Sequence, residues 1–467
     1  MAEPMRTSAR AGPRRGEAGN VDPDRAWAAY EPSAGSPWNL ARAAHLYRRA
    51  GFGATWGELQ EALKAGPRRA VDRLLRPEAD VAAFNRQHEG YEKAVASSGS
   101  AEPLRAWWLR RMIQTPHPLL EKMTLFWHDF FAVDGARAAG GSLVWQHAQR
   151  LRAGAMGHFP TLLAQITRDP AVLLSLGARA NRKARPDRHL ARQVLHRYTV
   201  GSRHCTAGDV REAARAMTGW FVLRMRLRYF EREHDDGAKT VLGKTGKFGD
   251  QDVVRIAAEH PAAARNVVRR LYRWFLSEAH EPDDALLAPL VRPFARDFNV
   301  GRLVAAMLRS NLFFSARTLR RRIKRPVEFA VGIVRGLEAT APTTRLADDL
   351  ASLGENLYYP PTVGGWQGGR HWINHATLIG RSNLAASMLA PSGPYGGKLV
   401  PAAVARRHGQ TDAEAAGRFL VRLFLQPTGA SGTFERLWKD APLGGGLAER
   451  LRKLTHSIVT QPEFQLA

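Results

Sequence analysis

LLEKMTLFWHDFF, residues 119–131, is the stretch that decides the fold class. It is apolar enough to be a central core helix, and a Thr115-Pro116-His117-Pro118 break separates it from a second long amphipathic helix beginning at Glu102. Helical periodicity continues in both directions. Leu40, Ala43, Ala44, Leu46 and Tyr47 put apolar groups at i, i+3 and i+4, and Gly51-Phe52-Gly53 ends that helix. Thr55 caps the next one, with Glu58 three residues on as in a capping box. Asp169-Pro170 and Thr206 open two more, the second running over Ala207–Met217, with Asp209 in its first turn and Gly219 just past its end.

Between about 219 and 248 the pattern changes. Trp220–Leu223, Leu227–Phe230 and Thr240–Gly243 read as short strands of one small inserted sheet. Helices resume at Asp250 and continue to about Glu338. Residues 354–372 (GENLYYPPTVGGWQGGRHW) form a Gly/Pro/aromatic loop, followed by a helix over Asn374–Met388. The expectation is a mainly α protein with three parts: a flexible lead-in over 1–37, a helical body over 38–390, and a smaller helical C-terminal region over 391–467, entered through a hinge at 391–399.

Composition agrees with a real core. Of 467 residues, 44% are hydrophobic and 9% aromatic, including 12 Trp, which excludes wholesale disorder. The formal net charge is +26. A polyanion partner such as nucleic acid would use it. Yet 58 of the 69 basic residues are Arg and they are spread along the whole chain, a pattern that biased codon usage also produces. The one cysteine, Cys205, excludes an intramolecular disulfide and a Cys-based zinc site, and reads as an inert thiol. Arg14-Arg15 is followed by no apolar signal region and no run approaches 18 apolar residues, so the expected location is the cytoplasm, without a transmembrane segment.

The ordered segments resemble a large bacterial family catalogued as domain of unknown function 1800. The matching stretches are WNLARAAHLYRRAGFGAT (38–55), LRAWWLRRM (104–112), LLEKMTLFWHDFF (119–131), the run from TRDPAVLLSL to NRKARP (167–186), GDVREAARAMTGW (208–220), HDDGAKTVLGKTGKFGDQDV (234–253), IKRPVEFAVG (323–332) and YPPTVGGWQGGRHWINHATLIGR (359–381). The resemblance implies a mostly helical body and no agreed activity. It also implies a partner, since such proteins are often encoded beside exported proteins resembling alkaline phosphatases or sulfatases. Two departures stand out. Where the family reads Trp-His-x-His-Phe, the second His is Phe130. Where it reads Asn-Glu-Asn-x-Ala-Arg-Glu-x-x-Glu, the helical Glu positions are Gln193 and His196. Those imidazoles and carboxylates could hold a metal or move protons, so this chain reads as a divergent and non-catalytic relative.

Several residues carry candidate chemistry, each with a structural alternative. His128-Asp129 suggests a metal phosphohydrolase pair, but a lone His on an aromatic helix suits a core position. His189 and His196 on one helix lie two turns apart, too far for one ion without a third element. GAKTVLGKT (237–245) lacks the phosphate-loop glycine spacing and a following helix, so it reads as a hairpin turn. His234, Asp235 and Asp236 could bind a divalent cation or act as a base, or brace a turn against Lys239 and a nearby Arg. Arg182, Lys183, Arg192, Lys239 and Arg325 could form an anion site, or solvated helix ends. Trp366, Trp372 and Asn374 could line a sugar-type cleft, or pin their loop into the core. No cofactor is required by the sequence; a divalent metal is compatible with it. Three functions follow: a helical scaffold or partner of a co-encoded exported phosphatase- or sulfatase-like protein; a hydrolase on a phosphorylated, sulfated or glycan substrate using His128, His234, Asp235 and Asp236; or a nucleic-acid or polyanion binder.

Overall fold

The computed structural model describes residues 21–97, 99–138, 140–427, 432–441 and 446–467. Its helices follow one another as α1 (Pro23–Trp27), α2 (Leu40–Ala50), α3 (Trp56–Leu75), α4 (Val81–Ala96), α5 (Glu102–Gln114), α6 (Pro118–Phe130), α7 (Gly141–Gly154), α8 (Phe159–Thr167), α9 (Pro170–Ser175) and α10 (Arg188–Arg192). A π-turn over Gln193–Tyr198 continues α10 directly, and α11 (Ala207–Ala216) precedes the strands β1 (Trp220–Leu223), β2 (Arg226–Tyr229), β3 (Lys239–Val241) and β4 (Lys244–Gly246). Then come α12 (Asp250–Glu259), α13 (Pro261–Phe275), α14 (Asp284–Asp297), α15 (Val300–Arg309), α16 (Pro326–Gly336), α17 (Thr343–Ser352) and α18 (His375–Leu389). The chain closes with α19 (Pro401–Arg407), α20 (Ala413–Phe424), α21 (Thr433–Asp440), α22 (Gly446–Thr460) and α23 (Pro462–Gln465). The fold is mainly α. No helix among the described residues is long and apolar enough to cross a membrane.

Local chemistry sets the helix starts. Thr55 Oγ1 accepts from Glu58 N–H while Glu58 returns a bond to Thr55 N–H, and Thr206 and Asp209 repeat that box on α11. Asp169 caps α9 through Ala171 N–H with Pro170 at the first position. Helix α6 is the centre: Leu119, Met123, Leu125 and Trp127 are buried, and Trp127 stacks with Phe131 and Phe159.

The strands form two separate hairpins, not one sheet. β1 pairs with β2, and the other edge of β1 is taken by 179–181, where Asn181 N–H bonds Trp220 O at 3.0 Å. With that edge filled, β3 and β4 pair only with each other, and β3 packs against α11, whose Asp209 accepts from Leu242 N–H at 2.7 Å. The stretch 237–245 is a hairpin turn, with Leu242 and Gly243 at positive φ.

Of the stretch expected as a lead-in, residues 1–20 lie outside the described residues, while the part from Val21 on is held in place. Ala26 and Tyr30 are buried, Tyr30 N–H bonds Arg309 O at 2.8 Å, and Asn311 and Leu312 N–H bond Ala28 and Ala26 O at 2.9 Å. The run of helices expected over 250–338 is broken between α15 and α16 by this same connector, 310–325. The connector also receives the far end of the chain: Lys324 N–H bonds Gln465 O, and Ala467 N–H bonds Arg322 O. One apolar cluster runs from Ala26 to Phe464, so residues 391–467 share their core with the body. Within 391–399, Tyr395 is fully buried and its hydroxyl donates to Asp349 at 2.6 Å.

Candidate functional site

A cleft with about 410 Å³ of space opens above the C-terminal end of α6. Five segments build it. Helix α13 contributes Arg269, Arg270, Arg273 and Trp274, which helical spacing puts on one side, and Glu278 follows just past its end. Helix α6 brings Phe126, Asp129 and Phe130; the π-turn brings Arg197; the residue before α16 is Arg325; and the glycine loop supplies Gly364, Trp366, Gln367 and Gly368. Five arginines and two carboxylates line it between aromatic walls, with Arg269 and Arg273 paired to Glu281 and Asp284.

Asp129 is the clamp of this arrangement. Its Oδ1 accepts from Trp366 N–H at 2.8 Å, and its Oδ2 lies 3.3 Å from an Arg325 nitrogen. The loop can approach so closely only because residue 365 is glycine: φ is +72°, and a Cβ there would sit 2.3 Å from Asp129 Oδ1. Arg325 is buried and holds Glu355 at 2.6 Å, while Glu355 also accepts from Val327 N–H. Its guanidinium lies 5.1–5.6 Å from the rings of Trp274, Trp366 and Trp372.

The π-turn shapes the opposite wall. Arg197 donates to Phe130 O at 3.2 Å and Asp129 O at 3.0 Å, capping α6 at the carbonyl end. Two polar atoms of this turn, Gln193 Oε1 and His196 Nε2, are buried without a hydrogen-bond partner among the described residues. π-turns recur at functional sites because they displace a side chain from the α-helical register.

Two groups in the cleft are uncommitted. Arg270 lies 4.8 Å over the Phe130 ring and makes only long contacts, 3.4 Å, to Asn266 Oδ1 and Arg197 O; it forms no ion pair among the described residues. Burial, then the neighbouring Arg197, pushes its pKa down to about 10. Glu278 forms no hydrogen bond or ion pair among the described residues either. Its carboxylate lies against Gly368 and Gly369, where a Cβ would meet it at 3.4 and 3.5 Å. Burial raises its pKa above the ordinary carboxylate range, although Arg322 opposes the shift. A perturbed carboxyl in an arginine-lined cleft can exchange a proton with a bound anion.

The residues singled out in the sequence go to several places. Arg325 and Trp366 line the cleft; Trp372 is buried behind Arg325. His128 is a core imidazole packed among Trp108, Tyr358 and Trp366, its Nε2 accepting from Tyr358 N–H at 3.2 Å. Burial holds its pKa well below normal. Asn374 caps α18 through Thr377 N–H. His234, Asp235 and Asp236 lie on the hairpin side, not beside His128. Asp235 is gripped by Arg215 at 2.8 and 3.1 Å, and also accepts from Gly237 N–H; the Arg215 bond lowers its pKa. His234 Nδ1 sits 3.0 Å from Thr218 O, and Lys239 donates to the Asp235 carbonyl. Asp236 is exposed.

Arg182 pairs with Glu233 at 2.9 Å and Lys183 N–H with Glu233 O, whereas the 320–325 run enters the core, so the two basic runs make no common site. Lys183 and Arg192 are exposed. Among the described residues no three His, Cys, Asp or Glu side chains gather as a metal would require. Cys205 is half-buried, and burial raises its thiol pKa. Sequence reasoning missed Asp129 as a clamp, and Arg197, Arg269, Arg270, Arg273 and Glu278 altogether. The only local signal was the dense RRLYRWF run, which also suits a solvated helix face.

Three stretches that carry the family resemblance meet in this cleft: the end of LLEKMTLFWHDFF, the start of IKRPVEFAVG and the VGGWQGG loop. The family model described as protein of unknown function (DUF1800) matches residues 45–466, and the chain belongs to that family. No curated protein and no solved structure matches it.

Proposed function

For this member of the family, we propose that the cleft over α13 recognises the phosphate or sulfate group of a substrate and that Glu278 exchanges a proton during its hydrolysis. The observation that carries this reading is Arg270, a half-buried guanidinium with no ion pair among the described residues, in a cleft built from the family's signature stretches. Arg197 and Arg325 flank it and are oriented by their own bonds, so little ordering is left for the ligand to drive. Trp274 and Trp366 offer ring faces to the part of the substrate that bears the anion. Low local dielectric strengthens each contact.

The reading replaces the hydrolase assignment to His234, Asp235 and Asp236: the first two are engaged by Thr218, Arg215 and Gly237, and Asp236 is exposed. The test is calorimetric titration with inorganic phosphate, sulfate and aryl phosphate and sulfate esters, with turnover followed on the esters. Arg270→Gln should weaken binding about tenfold or more. Glu278→Gln should keep binding and lose turnover. Wild-type affinity in Arg270→Gln would sink the proposal.

A second reading, as partner of a co-encoded exported hydrolase-like protein, draws support from Leu378 and Ile379, 42% and 62% exposed on α18. Co-purification with that partner, lost in Ile379→Asp, would favour it.

A further inference from the structure

Between α2, α16 and α20 lies a small cavity of about 30 Å³, away from the cleft. Phe52, Phe424 and Phe464 make it mostly apolar, yet Arg48 and Lys324 line it too. Both are buried, at 9% and 4% exposure. The Lys324 ammonium lies 3.5 Å over the Phe464 ring and forms no hydrogen bond or ion pair among the described residues. Arg48 commits one nitrogen to Gln426 Oε1 at 2.5 Å, while its Nε is buried without a partner. Gln426 is held for that contact at a positive φ of 41°, an uncommon conformation for a side-chain-bearing residue.

The one carboxylate on the wall, Glu328, is already engaged by Lys122, Arg322 and the Arg325 N–H. Among the described residues, nearby Arg49 bonds only the carbonyls of Leu276 and Thr318, with Nε and Nη1 unpartnered. Buried positive groups therefore outnumber the carboxylates that could balance them. An isolated buried charge is far costlier than the margin of folding, so such a group either loses its proton or gains a counter-ion. A guanidinium does not lose its proton, and Arg48 sits beside Lys324.

We infer that this cavity is a halide site, one chloride ion lying between Lys324 Nζ and Arg48 Nε. Its small volume suits a monatomic anion better than a tetrahedral phosphate or sulfate. The apolar walls favour a weakly hydrated anion, and Glu328, also on the wall, is neutralised by its own two cationic partners.

The test uses the full chain in sodium gluconate, chloride and bromide at one ionic strength. Chloride and bromide should raise the melting temperature over gluconate by roughly 2 °C. Crystals in bromide should give an anomalous peak between Arg48 and Lys324. Lys324→Met, which replaces the buried amine with an apolar chain of similar length, should fold and lose the halide dependence. Equal melting in gluconate and chloride would overturn the site, as would a bromide peak confined to the α13 cleft or halide dependence undiminished in Lys324→Met. None of these outcomes bears on Arg270, which is tested by phosphate and sulfate binding.

Discussion

The turn at His234–Asp236 and the cleft over α13 hold similar side chains and use them in opposite ways. In the turn, Asp235 faces Arg215, and the pair, 20% and 32% exposed, closes on itself. His234 and Asp235 tie the turn to the end of α11, and Asp236 is exposed. In the cleft, Asp129 and Arg325 are tied in the same manner, but around them stand Arg270, held by two long hydrogen bonds, and Glu278, neither with an ion pair among the described residues. Composition alone does not separate the two regions. What separates them is whether each charge already has its partner, because an engaged group stabilises the fold while an unengaged, desolvated one is available to a ligand.

Breaking the engaged part of the cleft should have the largest effect. Arg325→Met leaves Glu355 buried and unpaired, and should cost about 3–5 kcal/mol in urea unfolding. A wild-type midpoint would show that Arg325 is not a frame for the site. Next comes Arg270→Gln, expected to lose about 1.5–3 kcal/mol of phosphate or sulfate affinity by calorimetry while its unfolding midpoint barely moves. A stability loss without an affinity loss would erase the contrast drawn here. Asp235→Asn should cost no more than about 1 kcal/mol of stability, as partly exposed pairs do, and leave anion binding unchanged. Abolished binding would return the turn to the list of sites.

The smallest effect is a pH dependence at Glu278. Burial raises its folded-state pKa, so the folded protein keeps the proton where the unfolded chain has released it. Its contribution is full below the ordinary value of 4.5 and is lost as pH rises through the raised pKa. Wild type should therefore lose stability relative to Glu278→Gln as pH climbs above that value, in paired denaturation curves. A difference that stays flat with pH would mean the carboxyl is not desolvated.

Much of the fold was legible because its signals are local. Thr55 with Glu58, Thr206 with Asp209 and Asp169-Pro170 carry their own reasons for starting helices, and Asn374 caps α18 in the same way. Residues 21–37 misled because what holds them is remote: Tyr30 depends on Arg309. The sheet was read as one because strand composition does not reveal that 179–181 occupies the free edge of β1. The site was harder still. Arg269, Arg270 and Arg273 look like a wet helix face, and Arg273 is exposed; that the side at Arg270 is a cleft wall shows only once Phe130 and Trp366 arrive from other segments. In the sequence Asp129 reads as half of a His-Asp metal pair or as the variable position between two family histidines, and its role as a clamp needs Gly365, more than 200 residues away, to become visible.

The connector between α15 and α16 is tied at one end to residues 26–30 and at the other to residues 465–467. In kinetic terms this is a late knot: both ties close very long loops, so the entropy of closure must be met before either contact rewards it. Arg322, Lys324 and Arg325 lie beside the second tie. Refolding should therefore pass through a collapsed form in which most helices exist while the Lys324 cavity and the Arg325 anchor of the cleft are still unmade, so competence to bind an anion should return after far-ultraviolet helicity, in a separate and slower phase.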